Sequence, residues 1–169
     1  MRKYLWFLLG LFTAVIVFYY IYSYLQIPAG KGYVYPLDDV YIHLALAKNF
    51  AEHGVWSVNS TGFDSASSSI LYSLLLSGCI WLLGNWPFYP VIINIVFGYA
   101  TVYAVYRYFA DFYSKKELRW ALALLVPFCL LHVMVLFAME HTLHMFLTVC
   151  VFYYIKKNHL KDFNHWPTF

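Results

Sequence analysis

Charged residues are scarce in this sequence. Asp, Glu, Lys and Arg make up 11% of its 169 residues, whereas an ordinary soluble domain contains about 25%. With 63% hydrophobic residues, the chain does not have the composition of a soluble globular domain, a disordered region or a nucleic-acid-binding domain. Its mean hydropathy of +0.63 indicates a protein with several membrane-embedded helices.

Cysteine is also rare, and its placement excludes two further classes. Cys79, Cys129 and Cys150 are the only cysteines; all three lie within apolar runs, without the spacing of a metal site or a CxxC motif. A disulfide-stabilised scaffold is therefore excluded, and the three thiols are interpreted as small buried side chains. The sequence contains no Gly-rich phosphate loop and no nucleophile elbow.

Long apolar segments are abundant. The first, Leu5–Leu25, is long enough as a helix to span about 30 Å of hydrocarbon. Arg2 and Lys3 precede it, and it ends in tyrosines without a small-residue cleavage site. These features predict an uncleaved membrane anchor with a cytoplasmic N-terminus, rather than a secretory signal peptide.

The basic residues decide how the later apolar segments are arranged. These segments are Ile70–Leu83, Phe88–Phe109, Trp120–Met139 and Leu143–Ile155. If all of them crossed the membrane, nine of the 11 basic residues would lie on the outer face, against the positive-inside rule. If Ile70–Leu83 does not cross, only Lys31 and Lys48 lie outside.

The fold predicted from this distribution is an all-α polytopic membrane protein. It has about four transmembrane helices, an amphipathic helix on the outer face and a re-entrant or juxtamembrane helix at Ile70–Leu83. Residues 1–169 form a single membrane domain with a first outer loop at 26–87 and a second outer turn at 139–142. In a bacterium the chain would lie in the inner membrane.

The amphipathic helix lies in the first outer loop. It is predicted over Val40–His53, with Asp39 as its N-cap and Gly54 as its end. Its apolar stripe comprises Val40, Leu44, Ala47 and Ala51. We expect this stripe to rest on the outer membrane surface, and Ser68 or Ser69 to cap the helix that begins at Ile70.

Two adjacent carboxylates precede that helix. Asp38 and Asp39 repel each other, and the N-terminal helix dipole favours their charged forms. An ionised carboxylate at a membrane surface can act as a general base or hold a hard divalent cation. The alternative is that the two residues only begin the helix.

Glu140 is the third acidic residue of interest. It lies at the end of an apolar run, where a carboxylate is costly unless it is exposed or functional. The alternative is an ordinary helix-start acid in a wet turn. His141 and His144 share a helix face with i, i+3 spacing and are interpreted as interfacial side chains; the alternative is a metal site that they would form with Glu140.

Two stretches resemble a family of membrane enzymes. PLDDVYIHLALAKNF at 36–50, followed by Gly54, Asn59, Gly62 and SSSILY at 67–72, resembles the first outer loop of GT-C-class polytopic glycosyltransferases. The pattern is most similar to arabinofuranosyltransferase-like and polyprenyl-phosphate-sugar-dependent enzymes of that class. AMEHTL at 138–143 resembles their second outer-loop acidic motif.

The resemblance implies transfer of a sugar from a lipid-phosphate donor to an acceptor on the outer face. Asp38 or Asp39 would be the base, and Glu140 a second acid that positions substrate or metal. The substrate-binding residues implied are Tyr41, His43, Lys48 and His141. Because some members of the class use a divalent metal and others do not, Mg²⁺ or Mn²⁺ held by Asp38, Asp39 and Glu140 remains open.

Members of this class have more membrane crossings than this sequence contains. The resemblance covers nearly the whole chain, but only the N-terminal part of the family. The sequence is therefore expected to be a fragment of a longer enzyme, or to need a partner chain that supplies the missing helices. The alternative function is a small non-catalytic membrane subunit, or a truncated gene product without activity of its own.

Overall fold

The computed structural model describes residues 2–27, 34–59 and 62–163, and within these ranges it is all-helical. Its seven helices are α1 (Arg2–Leu25), α2 (Asp39–His53), α3 (Ile70–Leu83), α4 (Tyr89–Phe109), α5 (Lys115–Phe128), α6 (Leu131–Phe137) and α7 (His141–Phe163). No β-strand occurs in these three ranges. Lys31, one of the two basic residues assigned to the outer face, lies outside the described residues.

The predicted loop helix is present and begins one residue earlier than expected. Asp38 occupies the N-cap position, and Asp39 is the first helical residue. The Asp38 side chain makes no capping hydrogen bond; its backbone carbonyl instead accepts from the N–H of Tyr41 at 2.9 Å. The predicted end at Gly54 is confirmed, because this residue takes the left-handed conformation with φ of 69° that glycine adopts without strain.

The short apolar helix α3 has the predicted bounds. Ser69 occupies its N-cap position, as one of the two predicted alternatives, but its side chain makes no capping hydrogen bond. At 14 residues the helix is about 21 Å long, which is too short to cross the hydrocarbon core.

The predicted continuous helix over Trp120–Met139 is wrong. The chain forms α5 and α6 with a break between them, because Pro127 has no backbone N–H to donate and Leu130 adopts a positive φ of 49°. Ala138, at the end of α6, also has a positive φ of 56°. This apolar stretch therefore does not supply one long membrane helix.

The last helix is longer than the predicted Leu143–Ile155 segment. It begins at His141 and continues to Phe163, a length of 23 residues. The described N-terminal turn of α7 contains Thr142 and Leu143, which are 1% and 2% exposed. The start of this helix is therefore anchored in the protein interior, next to Glu140.

Packing brings the helices together in two main pairs, α2 with α3 and α4 with α7. The stripe predicted to face the membrane contacts protein instead, because Ala47 packs in a core cluster with Tyr72 and Leu76 of α3. A second cluster joins α1 to α4 and α6. Its fully enclosed members are Phe12, Ile16, Val102, Leu131 and Val135.

Within residues 2–27, 34–59 and 62–163, two helices could span a membrane by length and hydropathy, Leu5–Leu25 in α1 and Tyr89–Phe109 in α4. The two helices differ in burial: 17% of the apolar stretch of α1 and 50% of that of α4 is buried within the protein. The exposed face of α1 carries large apolar side chains such as Trp6, Phe7 and Phe18. These helices are consistent with membrane association, whereas four crossings and their orientation stay a prediction.

Candidate functional site

Three segments meet around a buried polar cluster: the middle of α2, the serine-rich loop that leads into α3, and the turn before α7. The cluster consists of His43, Ser67, Ser68, Ser73 and Glu140. The polar groups in this cluster hydrogen-bond one another. We define these five residues as the Ser-His-Glu cluster.

Glu140 is the carboxylate of the cluster, and it is 5% exposed. It lies directly before α7, where its backbone carbonyl accepts a hydrogen bond from the N–H of His144 at 3.0 Å. Its Oε1 accepts a hydrogen bond from the Ser68 hydroxyl at 3.0 Å. Its Oε2 lies 3.3 Å from His43 Nε2; this is ion-pair distance, but the angles do not form a hydrogen bond.

His43 connects the carboxylate to a second group of hydroxyls. Its side chain is 1% exposed; Nε2 lies 3.1 Å from Ser68 Oγ, and Nδ1 lies 2.8 Å from Ser73 Oγ. Ser73 Oγ lies in turn 3.0 Å from Ser67 Oγ. The imidazole is therefore placed between two hydroxyl groups, with the carboxylate beyond one of them.

Burial and charge set the protonation states of this pair. Burial lowers the pKa of His43 below its ordinary value of 6.5, although the negative charges of Glu140 and Asp39 act to raise it. Burial acts to raise the pKa of Glu140, but a backbone hydrogen bond, the Ser68 hydroxyl and the positive potential of His43 and His141 lower it overall. At neutral pH the cluster thus pairs a neutral imidazole with an ionised carboxylate.

A neutral imidazole has one donor nitrogen and one acceptor nitrogen. Because Nε2 faces the carboxylate and Ser68, we assign the proton to Nε2. Nδ1 then accepts from the Ser73 hydroxyl at 2.8 Å. Since Ser68 donates to Glu140, its oxygen is free to accept from Nε2–H, and every donor in the cluster has an acceptor.

A second buried network holds the backbone on both sides of Glu140. The Tyr72 hydroxyl donates to the carbonyl of Ala138 at 2.7 Å, and Asn94 Nδ2 donates to the Tyr72 oxygen at 2.9 Å. The Thr142 hydroxyl donates to Asn94 Oδ1 at 2.6 Å. These bonds join α3, α4 and α7, and they fix the residues two positions before and after the carboxylate.

The predicted aspartates lie at the rim of this region. Asp38 and Asp39 are both exposed, at the N-terminus of the same helix that carries His43. Asp39 is near enough for its charge to affect the pKa of His43. The structure thus brings Asp39 and Glu140 into electrostatic contact with one imidazole, while Asp38 faces solvent beside them.

The predicted substrate-binding residues occupy different environments. Tyr41 is 41% exposed, and its oxygen accepts a hydrogen bond from the Tyr35 N–H at 2.8 Å. Lys48 is exposed further along α2, whereas His141 is partly buried and acts electrostatically on Glu140. Substrate binding by these residues stays a prediction; the buried His43 can reach a ligand only through its serine partners.

The three carboxylates do not form a metal site together. Among residues 2–27, 34–59 and 62–163, no group of three or more His, Cys, Asp and Glu side chains is arranged to hold a metal ion. Glu140 Oε2 lacks a hydrogen-bond partner, but it faces His43 rather than Asp38. Asp38, Asp39 and Glu140 therefore do not fit a shared divalent cation.

A cavity of about 270 Å³ lies beside the serine loop. It is lined by Trp56, Phe63, Ser65, Ser67 and Ile70. The loop is held by Asp64, whose N–H donates to the Trp56 carbonyl at 2.8 Å, and the Trp56 ring packs edge-on against Phe50 of α2 at 5.4 Å. Ser67 therefore belongs both to the cavity wall and to the Ser-His-Glu cluster.

Sequence reasoning missed the serines as part of the site. Ser68 and Ser69 are predicted only as alternative caps for α3, residues 67–72 are predicted only as part of the resembling motif, and Ser73 has no predicted role. Two signals were available: three consecutive serines followed a histidine-bearing helix, and Ser73 lies one helical turn after Ser69. Neither signal identifies His43 as the shared partner, because that contact depends on how α2 packs on α3.

Known proteins supply no relative for this chain. No family model, no curated protein and no solved structure matches it. In the part of the chain that the structure describes, the protein is all-helical, has two helices that could span a membrane and contains a cluster of serine, histidine and glutamate.

Proposed function

We propose that this chain is the core, or part of the core, of a GT-C-type membrane glycosyltransferase. In this proposal it transfers a sugar from a polyprenyl-phosphate donor to an acceptor hydroxyl on the outer face of the membrane. Four crossings, a cytoplasmic N-terminus and outer positions for Asp38, Asp39 and Glu140 belong to the proposal. A partner chain would supply further helices of the donor-binding groove.

The observation that carries the proposal is the contact between the two acidic motifs. His43, within the first motif, lies 3.3 Å from Glu140 of the second motif, and Ser68 bridges them. The resemblance implies that both motifs act on one substrate, and a direct contact between them supports that arrangement. A buried, ionised carboxylate at a helix start is also costly unless it has a role.

The chemistry assigned to the site is displacement at the anomeric carbon. A bond forms between the acceptor oxygen and that carbon, while the bond from carbon to phosphate oxygen breaks and the lipid phosphate leaves with the electron pair. The acceptor loses its proton to a carboxylate. Asp38 and Asp39 are exposed and so can contact a substrate directly, and the resemblance gives one of them this role.

The test is sugar transfer by the purified chain in lipid nanodiscs, alone and with any co-purifying partner. Radiolabelled polyprenyl-phosphate sugar is the donor, and a glycan with free hydroxyls is the acceptor. We expect Asp38→Asn or Asp39→Asn to reduce transfer by about 10²-fold or more, the contribution typical of a positioned base. Glu52→Gln is the matched control, because Glu52 is an exposed carboxylate at the other end of α2.

Two results would contradict the proposal. Unchanged transfer in both aspartate variants would remove these residues from the reaction. Absence of transfer by the unaltered chain and its partner, together with a stable complex insensitive to Asp38→Asn, Asp39→Asn and Glu140→Gln, would instead indicate a non-catalytic membrane subunit.

A further inference from the structure

The Ser-His-Glu cluster forms a continuous line of hydrogen bonds that begins at the cavity and ends at Glu140. Ser67 lies in the cavity wall, and its oxygen is 3.0 Å from that of Ser73. Ser73 Oγ lies 2.8 Å from His43 Nδ1, and the Ser68 hydroxyl bridges His43 Nε2 and the Glu140 carboxylate. Each step is short enough for a proton to pass along the bond.

The donors and acceptors in this line all point in the same direction. Ser67 Oγ accepts the N–H of Ser69 at 3.2 Å, and it donates its own proton toward Ser73. One lone pair of Ser67 then remains for a further donor. The line therefore starts with a vacant acceptor position at a cavity and ends at an ionised carboxylate, which is the arrangement needed to remove a proton from a bound hydroxyl.

The cavity wall has the composition of a sugar-binding surface. Trp56 and Phe63 present aromatic rings, and Phe63 is 83% exposed. The hydroxyls of Ser65 and Ser67 lie beside them. Aromatic rings cover the C–H face of a sugar while nearby hydroxyls bind its edge, so apolar rings with a few polar groups suit a monosaccharide unit.

We propose that this cavity binds the acceptor sugar and that the Ser67–Ser73–His43–Ser68 line carries the proton of its reacting hydroxyl to Glu140. The inference rests on the proposed function and specifies its acceptor as a sugar hydroxyl. In this step Glu140 takes the role of final base that the resemblance gives to Asp38 or Asp39, and the loss of transfer expected in the aspartate variants would then arise from lost contacts with the donor sugar. The exposed aspartates are left to hydrogen-bond the hydroxyls of the donor sugar.

Atoms and charges balance in this step. The acceptor hydroxyl passes its proton to Ser67, and each group in the line passes one proton onward until Glu140 becomes a neutral carboxylic acid. The acceptor oxygen bonds to the anomeric carbon of the donor, and the lipid phosphate departs with the electron pair of the broken bond. Ser68 is exposed, so the proton on Glu140 returns to solvent through its hydroxyl.

The first experiment measures binding without catalysis. Methyl glycosides of hexoses and pentoses are titrated against the full chain in nanodiscs by isothermal titration calorimetry, in parallel with glycolipids that carry the same terminal sugars. We expect saturable binding that is weakened at least tenfold in Trp56→Ala and in Ser67→Ala. Binding of the glycosides assigns a soluble acceptor, and binding of the glycolipids alone assigns a lipid-carried one; no binding of either overturns the cavity assignment.

The second experiment breaks the line in the middle. Ser73→Ala removes one buried hydroxyl and little volume, and Ser77→Ala, a 5% exposed serine one turn later in α3, is the matched control. We expect Ser73→Ala to lower kcat by about 10²-fold while the KM for the acceptor stays within twofold. The solvent deuterium isotope effect on kcat should also change in this variant and not in the control.

These readouts separate failure of the inference from failure of the proposed function. Transfer that is lost in Asp39→Asn but unaffected by Ser73→Ala and Ser67→Ala would overturn the relay and leave the glycosyltransferase in place. Sugar binding lost in Ser67→Ala, with a ¹⁵N shift of His43 Nδ1 on binding, would support the cavity and the relay even if another group were transferred. A ligand-insensitive His43 signal would overturn the relay.

Discussion

His43 Nε2 and Glu140 Oε2 lie 3.3 Å apart in the interior and connect the middle of α2 to the start of α7. The two residues come from opposite halves of the sequence, and neither has another charged partner as close within the described part of the chain. Because the imidazole is neutral and the carboxylate ionised, the contact orients the histidine more than it neutralises the charge. This pair therefore determines how folding and site chemistry respond to pH.

The first prediction concerns acid stability. The pKa of His43 is lowered from 6.5 by burial, so below about pH 6.5 the unfolded chain takes up a proton that the folded chain does not. The folded state is then stabilised above this pH and loses stability as pH falls toward the lowered pKa. The lowered pKa of Glu140 adds a loss of the same sign below about pH 4.5.

Chemical unfolding in detergent between about pH 7 and pH 5 measures this effect. We expect the free energy of unfolding to fall less steeply with acidification in His43→Gln than in the unaltered chain. His53→Gln is the control, because the side chain of His53 is 57% exposed. Equal slopes for His43→Gln and the unaltered chain would contradict a neutral buried His43.

The second prediction concerns the network that fixes the backbone around Glu140. Thr142→Val keeps the side-chain shape but removes the donor to Asn94 Oδ1, whose residue is 0% exposed. A buried acceptor left without a partner costs about 1–3 kcal/mol. We expect unfolding to show a loss in this range, and transfer activity to fall with it because Glu140 shifts.

Thr101→Val provides the matched control for this change. Thr101 is equally buried, at 1% exposed, but its hydroxyl donates to the Phe97 carbonyl within its own helix. That carbonyl belongs to the interior of α4, where it also lies within the helical hydrogen-bond ladder. Loss of the Thr101 hydrogen bond should lower the free energy of unfolding by about 1 kcal/mol or less. Equal losses for the two variants would show that the Thr142–Asn94 hydrogen bond contributes no more to stability than the intrahelical one.

Much of the local structure could be predicted from the sequence, because it depends on neighbouring residues. The left-handed Gly54 after an apolar stripe ends α2 as expected, and the bounds of α3 follow from a serine run before an apolar segment. The break between α5 and α6 was missed although Pro127 was visible in the sequence. The apolar composition of Trp120–Met139 predicts one crossing helix, and Pro127 does not contradict that prediction, because proline is often tolerated inside a membrane helix.

The site was only partly predictable for a different reason. Asp39, His43 and Glu140 were selected by residue type and position, and the structure brings these three together. The serines that join them were not selected, since a serine before a helix usually caps it. Their role depends on α2 packing against α3 with His43 facing inward, and this long-range contact leaves no periodic signal in one sequence.

The third prediction concerns the crossing of α1, α4 and α6. A Cβ added at Gly98 would lie 3.1 Å from the Phe12 ring and 3.2 Å from Val135, both of which are buried. Overpacking of this kind costs about 1–3 kcal/mol, more than the roughly 1 kcal/mol that alanine gains over glycine in a helix. Gly98→Ala should therefore lower the midpoint of thermal unfolding in detergent.

Gly78→Ala is the control for that substitution. Gly78 is also helical, but a Cβ added there meets nothing within 4 Å. Only the helix propensity changes, so this variant should be unaffected or stabilised by up to about 1 kcal/mol. A Gly98→Ala variant as stable as Gly78→Ala would mean that α1 can move away from α4 at little cost.

The last prediction tests the arrangement in the membrane, on which the outer-face site depends. Single cysteines are introduced at Asp64, His141 and Lys116 in a chain whose own Cys79, Cys129 and Cys150 are replaced by serine or alanine. If four segments cross and the N-terminus is cytoplasmic, an impermeant maleimide applied to intact cells should label Asp64→Cys and His141→Cys. Lys116→Cys, an exposed position at the start of α5, should be labelled only after permeabilisation, because the basic residues Lys115, Lys116 and Arg119 favour the cytoplasmic side. Labelling of Lys116→Cys in intact cells would contradict this topology, and a His141→Cys that is labelled only after permeabilisation would separate Glu140 from the aspartates.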